Sequence, residues 1–173
     1  ELAAGQSPAA IVVSCSDSRV PPEMVFDQGL GDLFVVRVAG NILVPSLIGS
    51  VEFAAEAFGA RLVIVLGHTS CGAIQATLDE LQNPPPRRSR HLRAIIDGIR
   101  PAVDELLMSE LRDDPSALAR EAMRANVRAS VAGLRDSSDV LAQLIADDGL
   151  QIVGAEYVLD SGEVHFIEGV RES

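Results

Sequence analysis

Three short apolar segments rich in β-branched residues constrain the fold of this chain of 173 residues more than any other feature. They are Ala10–Ser14 (AIVVS), Leu33–Val38 (LFVVRV) and Arg61–Leu66 (RLVIVL). Their apolar residues run almost without alternation, which is typical of strands in a parallel sheet that is covered on both faces. The sequence therefore predicts an α/β fold built around a buried parallel sheet.

Helical patterns lie between and after these strands. Ser46–Phe58 has apolar residues at helical spacing, and its first residue is the expected N-cap. Cys71–Leu81 predicts a second helix, and the chain is helical from His91 to about Ala146, with breaks near Pro115 and Ser137. A strand–helix–strand unit of this kind forms a right-handed crossover in nearly all proteins.

The last part of the chain predicts a pair of strands. Gln151–Leu159 and Glu163–Ile167 flank a turn at Asp160–Gly162, which is typical of a hairpin. We therefore expect a mostly parallel central sheet flanked by helices, with this C-terminal strand pair adding an antiparallel edge. No repeat or domain boundary is visible, so residues 1–173 are predicted to form a single domain. Because the chain begins with Glu1 rather than Met, we expect a tag, a leader or a native helical arm to have preceded it.

Charge and composition argue against two classes of partner. The chain has 14 basic and 25 acidic residues and a net charge of −11, and a surface this acidic repels nucleic acids and anionic lipids. Aromatic residues make up only 3% of the chain, too few for the stacking platforms of proteins that bind single strands. No apolar run approaches the ~18–20 residues needed to cross a bilayer. We expect a soluble protein that binds no nucleic acid and makes no direct membrane contact.

Side chains that bind metals follow two of the predicted strands. Cys15 follows the first strand in the segment CSDSR, and His68 and Cys71 follow the third in GHTSCG. The carboxyl ends of parallel strands meet at the edge of the sheet where ligands bind, so we expect these side chains to lie close together. Two thiols and an imidazole are favoured zinc ligands. The fourth ligand is either Asp17, which closes the site, or water, which leaves it open for catalysis.

Other interpretations of these residues stay open. Buried cysteines can be simple small hydrophobes, and a Cys15–Cys71 disulfide is a stronger alternative, although it gives His68 and Asp17 no role. Asp17 and Arg19 point the same way at a spacing of two, so they can pair, and the guanidinium then keeps the carboxylate ionised. Such a carboxylate either orients a water or hydroxide on zinc or forms an ordinary salt bridge.

The two motifs together resemble those of the β-class carbonic anhydrases. CSDSRV and GHTSCGA carry the resemblance, which extends from Gly5 to about Ile167 and includes GQSP and GDLFVVRVAGN. It implies that Cys15, His68 and Cys71 hold one zinc ion. It also implies that Asp17, paired with Arg19, either orients zinc-bound hydroxide or becomes the fourth ligand.

The same resemblance implies further residues around the substrate. Gln6 corresponds to a glutamine that reaches the active site of the neighbouring subunit and helps to bind bicarbonate. Phe34 corresponds to a phenylalanine that lines the carbon dioxide pocket, and the backbone N–H of Gly72 faces the substrate. Phe53 stands where many members have tyrosine, so the pocket wall loses a hydroxyl group. Gln6 and Phe34 are typical of members whose fourth zinc position is open to water.

The function implied by the resemblance is the zinc-dependent reversible hydration of carbon dioxide to bicarbonate and a proton by zinc-bound hydroxide. Two alternatives stay open: hydrolysis of carbon disulfide or carbonyl sulfide at the same site, and a non-catalytic module of a larger protein that binds zinc or bicarbonate. We expect a homodimer or a dimer of dimers, with most of the N-terminal arm missing from this sequence. The expected location is the cytoplasm, and a removed leader or a fusion to another domain is compatible with this sequence.

Overall fold

A five-stranded sheet flanked by helices forms the centre of the computed structural model, which describes residues 2–87 and 89–170. The strands are β1 (Ala10–Ser14), β2 (Leu33–Arg37), β3 (Leu62–His68), β4 (Gln151–Val158) and β5 (Glu163–Glu168). The helices are α1 (Pro22–Val25), α2 (Pro45–Ala57), α3 (Gly72–Gln82), α4 (Arg90–Val103), α5 (Pro115–Asp136) and α6 (Asp139–Asp147). Short 3₁₀ turns lie at Leu2–Ala4, Ala39–Asn41, Leu106–Met108 and Glu110–Asp113. Within the described part of the chain, none of the helices has the length and apolar character needed to cross a bilayer.

The strand order β2-β1-β3-β4-β5 confirms the predicted mostly parallel sheet. β1 pairs in parallel with β2 and β3, and β3 pairs in parallel with β4. β5 pairs antiparallel with β4, as predicted for the C-terminal hairpin. The chain passes from β1 to β2 on one side and then to β3 on the other, so the strand order reverses between β1 and β3. In open α/β sheets, ligands bind at the carboxyl ends of the strands at such a point.

Apolar layers cover both faces of the sheet. On one face the strands pack against helices α2 to α6 around a large cluster that includes the fully buried Ile11, Val13, Val63 and Val65. The other face carries a smaller cluster formed by Val12, Ile64, Leu66, Val153 and Ala155. Burial on both faces explains why the central strands appear in the sequence as almost continuous apolar runs.

Two glycines allow α5 to approach the sheet closely. A Cβ atom on Gly67 of β3 would lie 2.5 Å from Val127 Cγ2 and 2.7 Å from Met123 Sδ. A Cβ atom on Gly154 of β4 would lie 2.7 Å from Val127 Cγ1. Val127 therefore occupies the space that side chains at these two positions would fill. This packing holds α5 against β3 and β4.

Several element boundaries differ by one or two residues from those predicted, and two of these differences have a clear consequence or physical reason. α2 begins at Pro45, and its N-cap residue Val44 makes no side-chain hydrogen bond, so the predicted cap at Ser46 is wrong. Proline suits the first position of a helix because its fixed φ is already helical and its missing N–H has no intrahelical partner there. β3 ends at His68, two residues beyond its predicted end at Leu66, and this extension carries the imidazole to the edge of the sheet.

Candidate metal centre

Cys15, His68 and Cys71 come together at the carboxyl edge of the sheet, as their positions in the sequence predicted. Cys15 follows β1, His68 ends β3 and Cys71 directly precedes α3. Their ligand atoms all lie within 4.8 Å of one another, and all three residues are buried. Across residues 2–87 and 89–170, no other three histidine, cysteine or acidic side chains are gathered closely enough to hold a metal ion.

The two cysteine side chains are separate thiols. Both cysteines are free, and their Sγ atoms lie 4.0 Å apart, whereas the sulfurs of a disulfide are about 2.05 Å apart. Two thiolates on one tetrahedral zinc ion, each about 2.3 Å from it, lie about 3.8 Å from each other. The observed separation therefore fits two sulfur ligands of a shared ion.

His68 directs one ring nitrogen towards the cluster. Its Nδ1 lies 2.9 Å from the Thr69 carbonyl oxygen, and because a carbonyl only accepts, Nδ1 is the protonated donor. Nε2 therefore carries a lone pair, yet it is buried without a hydrogen-bond partner. Buried polar atoms nearly always have a partner, and histidines that bind metals typically donate their second N–H in this way. The donor set and the unpartnered Nε2 both fit a zinc ion.

The pKa values of the two thiols move in opposite directions because they share a hydrogen bond. The bond from Cys71, helped by the nearby His68 imidazole and by the bond from the Gly40 backbone N–H, outweighs burial and lowers the pKa of Cys15 to about 4. The same bond, together with burial, raises the pKa of Cys71. Burial lowers the pKa of His68, but the closeness of the Cys15 sulfur, the hydrogen bond to the Thr69 carbonyl and nearby negative charge outweigh burial and raise this pKa overall. The pocket thus stabilises a thiolate at Cys15, the form of cysteine that binds metals.

Arg19 holds the Asp17 carboxylate beside the cluster. Its Nε donates to Oδ1 at 2.9 Å and its Nη2 donates to Oδ2 at 2.7 Å, which is the predicted pairing. These bonds hold the pKa of Asp17 below its ordinary value, so the carboxylate is ionised at neutral pH. Asp17 Oδ2 lies 3.9 Å from His68 Nε2. Because Arg19 Nη2 also donates to the Ser70 carbonyl at 3.1 Å, the arginine joins the two loops that carry the ligands.

Two residues that the sequence analysis did not single out support Cys15. Arg37, the last residue of β2, donates from Nε to the Cys15 carbonyl at 2.9 Å and from Nη2 to the Asp17 carbonyl at 2.6 Å. The backbone N–H of Gly40 donates to Cys15 Sγ at 3.3 Å. The two contacts to Cys15 join positions 22 and 25 residues apart, and nothing in the segment RVAGN identifies Cys15 as their partner.

Of the residues expected near the substrate, Phe34 and Phe53 pack together, whereas Gly72 and Gln6 lie in other parts of the structure. The Phe34 ring packs 6.3 Å from the ring of Phe53 and 5.9 Å from that of Phe58, measured between centroids, and Phe53 is 55% exposed. Gly72 is the exposed first residue of α3. Gln6 is exposed in the segment before β1, and no hydrogen bond in the described part of the chain links it to the cluster. A single chain therefore brings together Cys15, His68, Cys71, Asp17 and Arg19, but not Gln6.

A cleft of about 920 Å³ opens beside Cys71. It is lined by the loop that carries Cys71 and by residues of α3, α5, β4 and β5, among them Ser70, Gly72, Arg120, Arg124, Glu156 and His165. Within it the buried Glu156 carboxylate accepts hydrogen bonds from Arg124 Nε at 2.8 Å and Nη2 at 2.6 Å. Phe34 and Phe53 are not among the residues that line this cleft, and their role in a substrate pocket stays a prediction.

The sequence pattern of the carbonic anhydrase family matches residues 10–164, a span that contains all three cluster residues. The chain belongs to the β-carbonic anhydrase family. It is 40% identical over 161 residues to carbonic anhydrase 2 of Mycobacterium tuberculosis, a match that covers 93% of this chain and 75% of that protein. It is 39% identical over 165 residues to a carbonic anhydrase of Mycolicibacterium smegmatis, covering 94% of this chain and 76% of that protein.

Solved structures show the same fold. The β-carbonic anhydrase CafA of Aspergillus fumigatus superposes with a TM-score of 0.86 at 26% identity, covering 99% of this chain and 80% of that one. One of two β-carbonic anhydrases of Sordaria macrospora, described as tetrameric, gives a TM-score of 0.85 at 24% identity over 96% of this chain and 83% of that one. The family resemblance read from the motifs is confirmed, and it places the chain among the lyases. The family is zinc-dependent, and the Cys-His-Cys cluster of this chain can bind a metal.

Proposed function

We propose that this chain catalyses the reversible hydration of carbon dioxide to bicarbonate and a proton, with one zinc ion held by Cys15, His68 and Cys71. The observation that carries the proposal is the buried cluster of two thiols and an imidazole whose Nε2 has no hydrogen-bond partner. Cys15, His68 and Cys71 would hold the ion with three protein ligands and leave room for a water, which is typical of catalytic zinc. Arg19 holds the Asp17 carboxylate with two hydrogen bonds, which keeps Asp17 from becoming a ligand and so supports a fourth position that is open to water.

Zinc, when bound, supplies a Lewis acid that lowers the pKa of a coordinated water from 15.7 to near 7 and so provides a nucleophile at neutral pH. Asp17, ionised and close to His68, accepts a hydrogen bond beside the cluster and thereby orients the nucleophile towards carbon dioxide. Arg19 keeps Asp17 ionised and restrains it from becoming a ligand. The N–H of Gly72 at the start of α3 offers a donor to the anionic product.

We also propose that a second copy of the chain completes the site. Phe53 is 55% exposed and packs edge-on against Phe58 with ring centroids 5.5 Å apart, next to Phe34 on the edge strand β2. Exposed aromatic clusters are typical of protein interfaces. In such a dimer Gln6, which is exposed here, reaches the neighbouring cluster and binds bicarbonate. The tetrameric Sordaria macrospora relative supports an assembly built from this chain's copies.

Stopped-flow hydration of carbon dioxide with a pH indicator tests the proposal on protein of measured zinc content. We expect activity above pH 8 in the wild type and loss of both zinc and activity in Cys71→Ser. Ser18→Ala changes an exposed side chain in the Cys15 loop and should keep both. Zinc-loaded wild-type protein that is inactive from pH 6 to 9 would contradict the proposal and favour a non-catalytic metal-binding role.

A further inference from the structure

The turn Ala39–Asn41 lies directly against one of the metal ligands. The backbone N–H of Gly40 donates to Cys15 Sγ at 3.3 Å. Gly40 has a φ of 68° and Asn41 a φ of 43°, so both lie in the left-handed region that side chains disfavour. A turn in this conformation persists only where the surrounding structure holds it.

Three helices hold this turn. A Cβ atom on Gly40 would lie 2.8 Å from Ile99 Cδ1 of α4 and 3.1 Å from Ala73 Cβ of α3, so apolar contacts confine the turn on two sides. On the third side, α5 supplies hydrogen bonds. Asn126 Nδ2 donates to the Gly40 carbonyl at 2.8 Å, and Ser130 Oγ donates to the Asn41 carbonyl at 3.2 Å.

Asn126 is a polar side chain on the buried face of α5. It is 2% exposed and adjoins Val127, which packs between Gly67 and Gly154 of the sheet. Burying an amide costs free energy unless it is hydrogen-bonded, and the structure gives the Asn126 amide one such bond, to Gly40. An apolar residue would bury here without that cost, so the asparagine is explained by the turn that it holds.

We infer that Asn126 is a positioning residue for the metal ligand Cys15 and acts through Gly40. An N–H that donates to a thiolate withdraws charge from the sulfur, and such outer partners orient ligands and tune the metal. By holding the Gly40 carbonyl, Asn126 keeps the Gly40 N–H aimed at Sγ and so sets how much charge Cys15 gives to the ion. The inference rests on the proposed function only in requiring a metal at the cluster.

Cobalt(II) in place of zinc reports on the sulfur directly, because the energy of the sulfur-to-metal charge-transfer band falls as the thiolate becomes richer in electrons. In Asn126→Ala we expect this band to move to lower energy. We also expect zinc affinity, measured by competition with a chelator, to fall about tenfold. Ser130→Ala is the matched control, since Ser130 lies on the same helix, is similarly buried and contacts the same turn but not Gly40. Its band and affinity should match those of the wild type.

An unchanged charge-transfer band and an unchanged zinc affinity in Asn126→Ala would overturn the inference. An equal shift of the band in Ser130→Ala would also overturn it, because it would indicate a general loosening of α5. Should Asn126→Ala not fold, Asn126→Leu keeps most of the side-chain volume and repeats the comparison. In wild-type protein loaded with cadmium-113, the Gly40 amide proton should show a scalar coupling to the metal through the N–H···S bond, and absence of this coupling would also overturn the inference. Wild-type protein that binds no cobalt would contradict the proposed function itself.

Discussion

Gly67→Ala should force α5 away from the sheet. Position 67 lies in β3 directly before His68, one of the three residues of the metal centre. The new methyl group would lie 2.5 Å from Val127 Cγ2, which is about 1 Å short of ordinary contact. Met123, whose Sδ would lie 2.7 Å away, has a flexible side chain that can turn aside. Val127 is fully buried and branched at Cβ, so its side chain cannot avoid the contact by changing rotamer. The strain is relieved only by moving the helix.

Overpacking of this kind costs about 1–3 kcal/mol, and the rigidity of Val127 places Gly67→Ala near the upper end, at about 3 kcal/mol. For a chain of this length, 1 kcal/mol corresponds to about 2–4 °C in Tm. We therefore expect Gly67→Ala to lower Tm by roughly 6–12 °C. The free energy of unfolding, obtained from urea titration at fixed metal loading, measures the loss directly.

The control for Gly67→Ala is Gly49→Ala in α2, where an added Cβ meets nothing within 4 Å. This control should leave stability unchanged or raise it by about 0.5–1 kcal/mol, because alanine is the better helix former. In a Val127→Ala background, the methyl group at position 67 has room, so its cost should fall by at least about 1 kcal/mol. Unchanged stability of Gly67→Ala, or an equal loss in both backgrounds, would refute the steric reasoning.

Three further changes test other parts of the structure. Arg124→Ala leaves the buried Glu156 carboxylate without its cation, so it should lower the free energy of unfolding, measured by urea titration, by about 3 kcal/mol. A loss under about 0.5 kcal/mol would show that this ion pair is dispensable for stability. Asp17→Asn should keep zinc and lower kcat/KM at least about tenfold in stopped-flow assays. Because Arg19 holds the pKa of Asp17 below its ordinary value, that factor should be equal at pH 6 and pH 9, and a factor that varies with pH would contradict this assignment. Phe53→Glu should shift the assembly towards monomers in analytical ultracentrifugation, and an unchanged assembly would show that the aromatic cluster lies outside the interface.

Much of the fold was predictable because burial on both faces of a parallel sheet leaves a direct trace in the sequence. The three apolar runs became β1, β2 and β3, and the turn at Asp160–Gly162 correctly separated the two C-terminal strands. The meeting of Cys15 with Cys71 followed from the rule that carboxyl ends of parallel strands share one edge. The spacing of two residues between Asp17 and Arg19 was enough to predict their ion pair.

Contacts between distant positions were not predictable in the same way. Asn126 and Gly40 are 86 residues apart, and the helical pattern of α5 does not distinguish a buried asparagine from one at the surface. The steric role of Gly67 depends on the position of Val127, which follows from the packing of the whole helix. The cap at Ser46 was wrong because the preceding proline itself begins the helix.

X-ray absorption at the zinc edge tests the centre formed by Cys15, His68 and Cys71 most directly. In purified wild-type protein we expect one zinc ion per chain with two sulfur ligands at about 2.3 Å and nitrogen or oxygen ligands at about 2.0–2.1 Å. Cys71→Ser should lose the ion. Wild-type protein without stoichiometric zinc, or a zinc spectrum that contains only nitrogen and oxygen ligands, would contradict the assignment of this cluster as the metal centre.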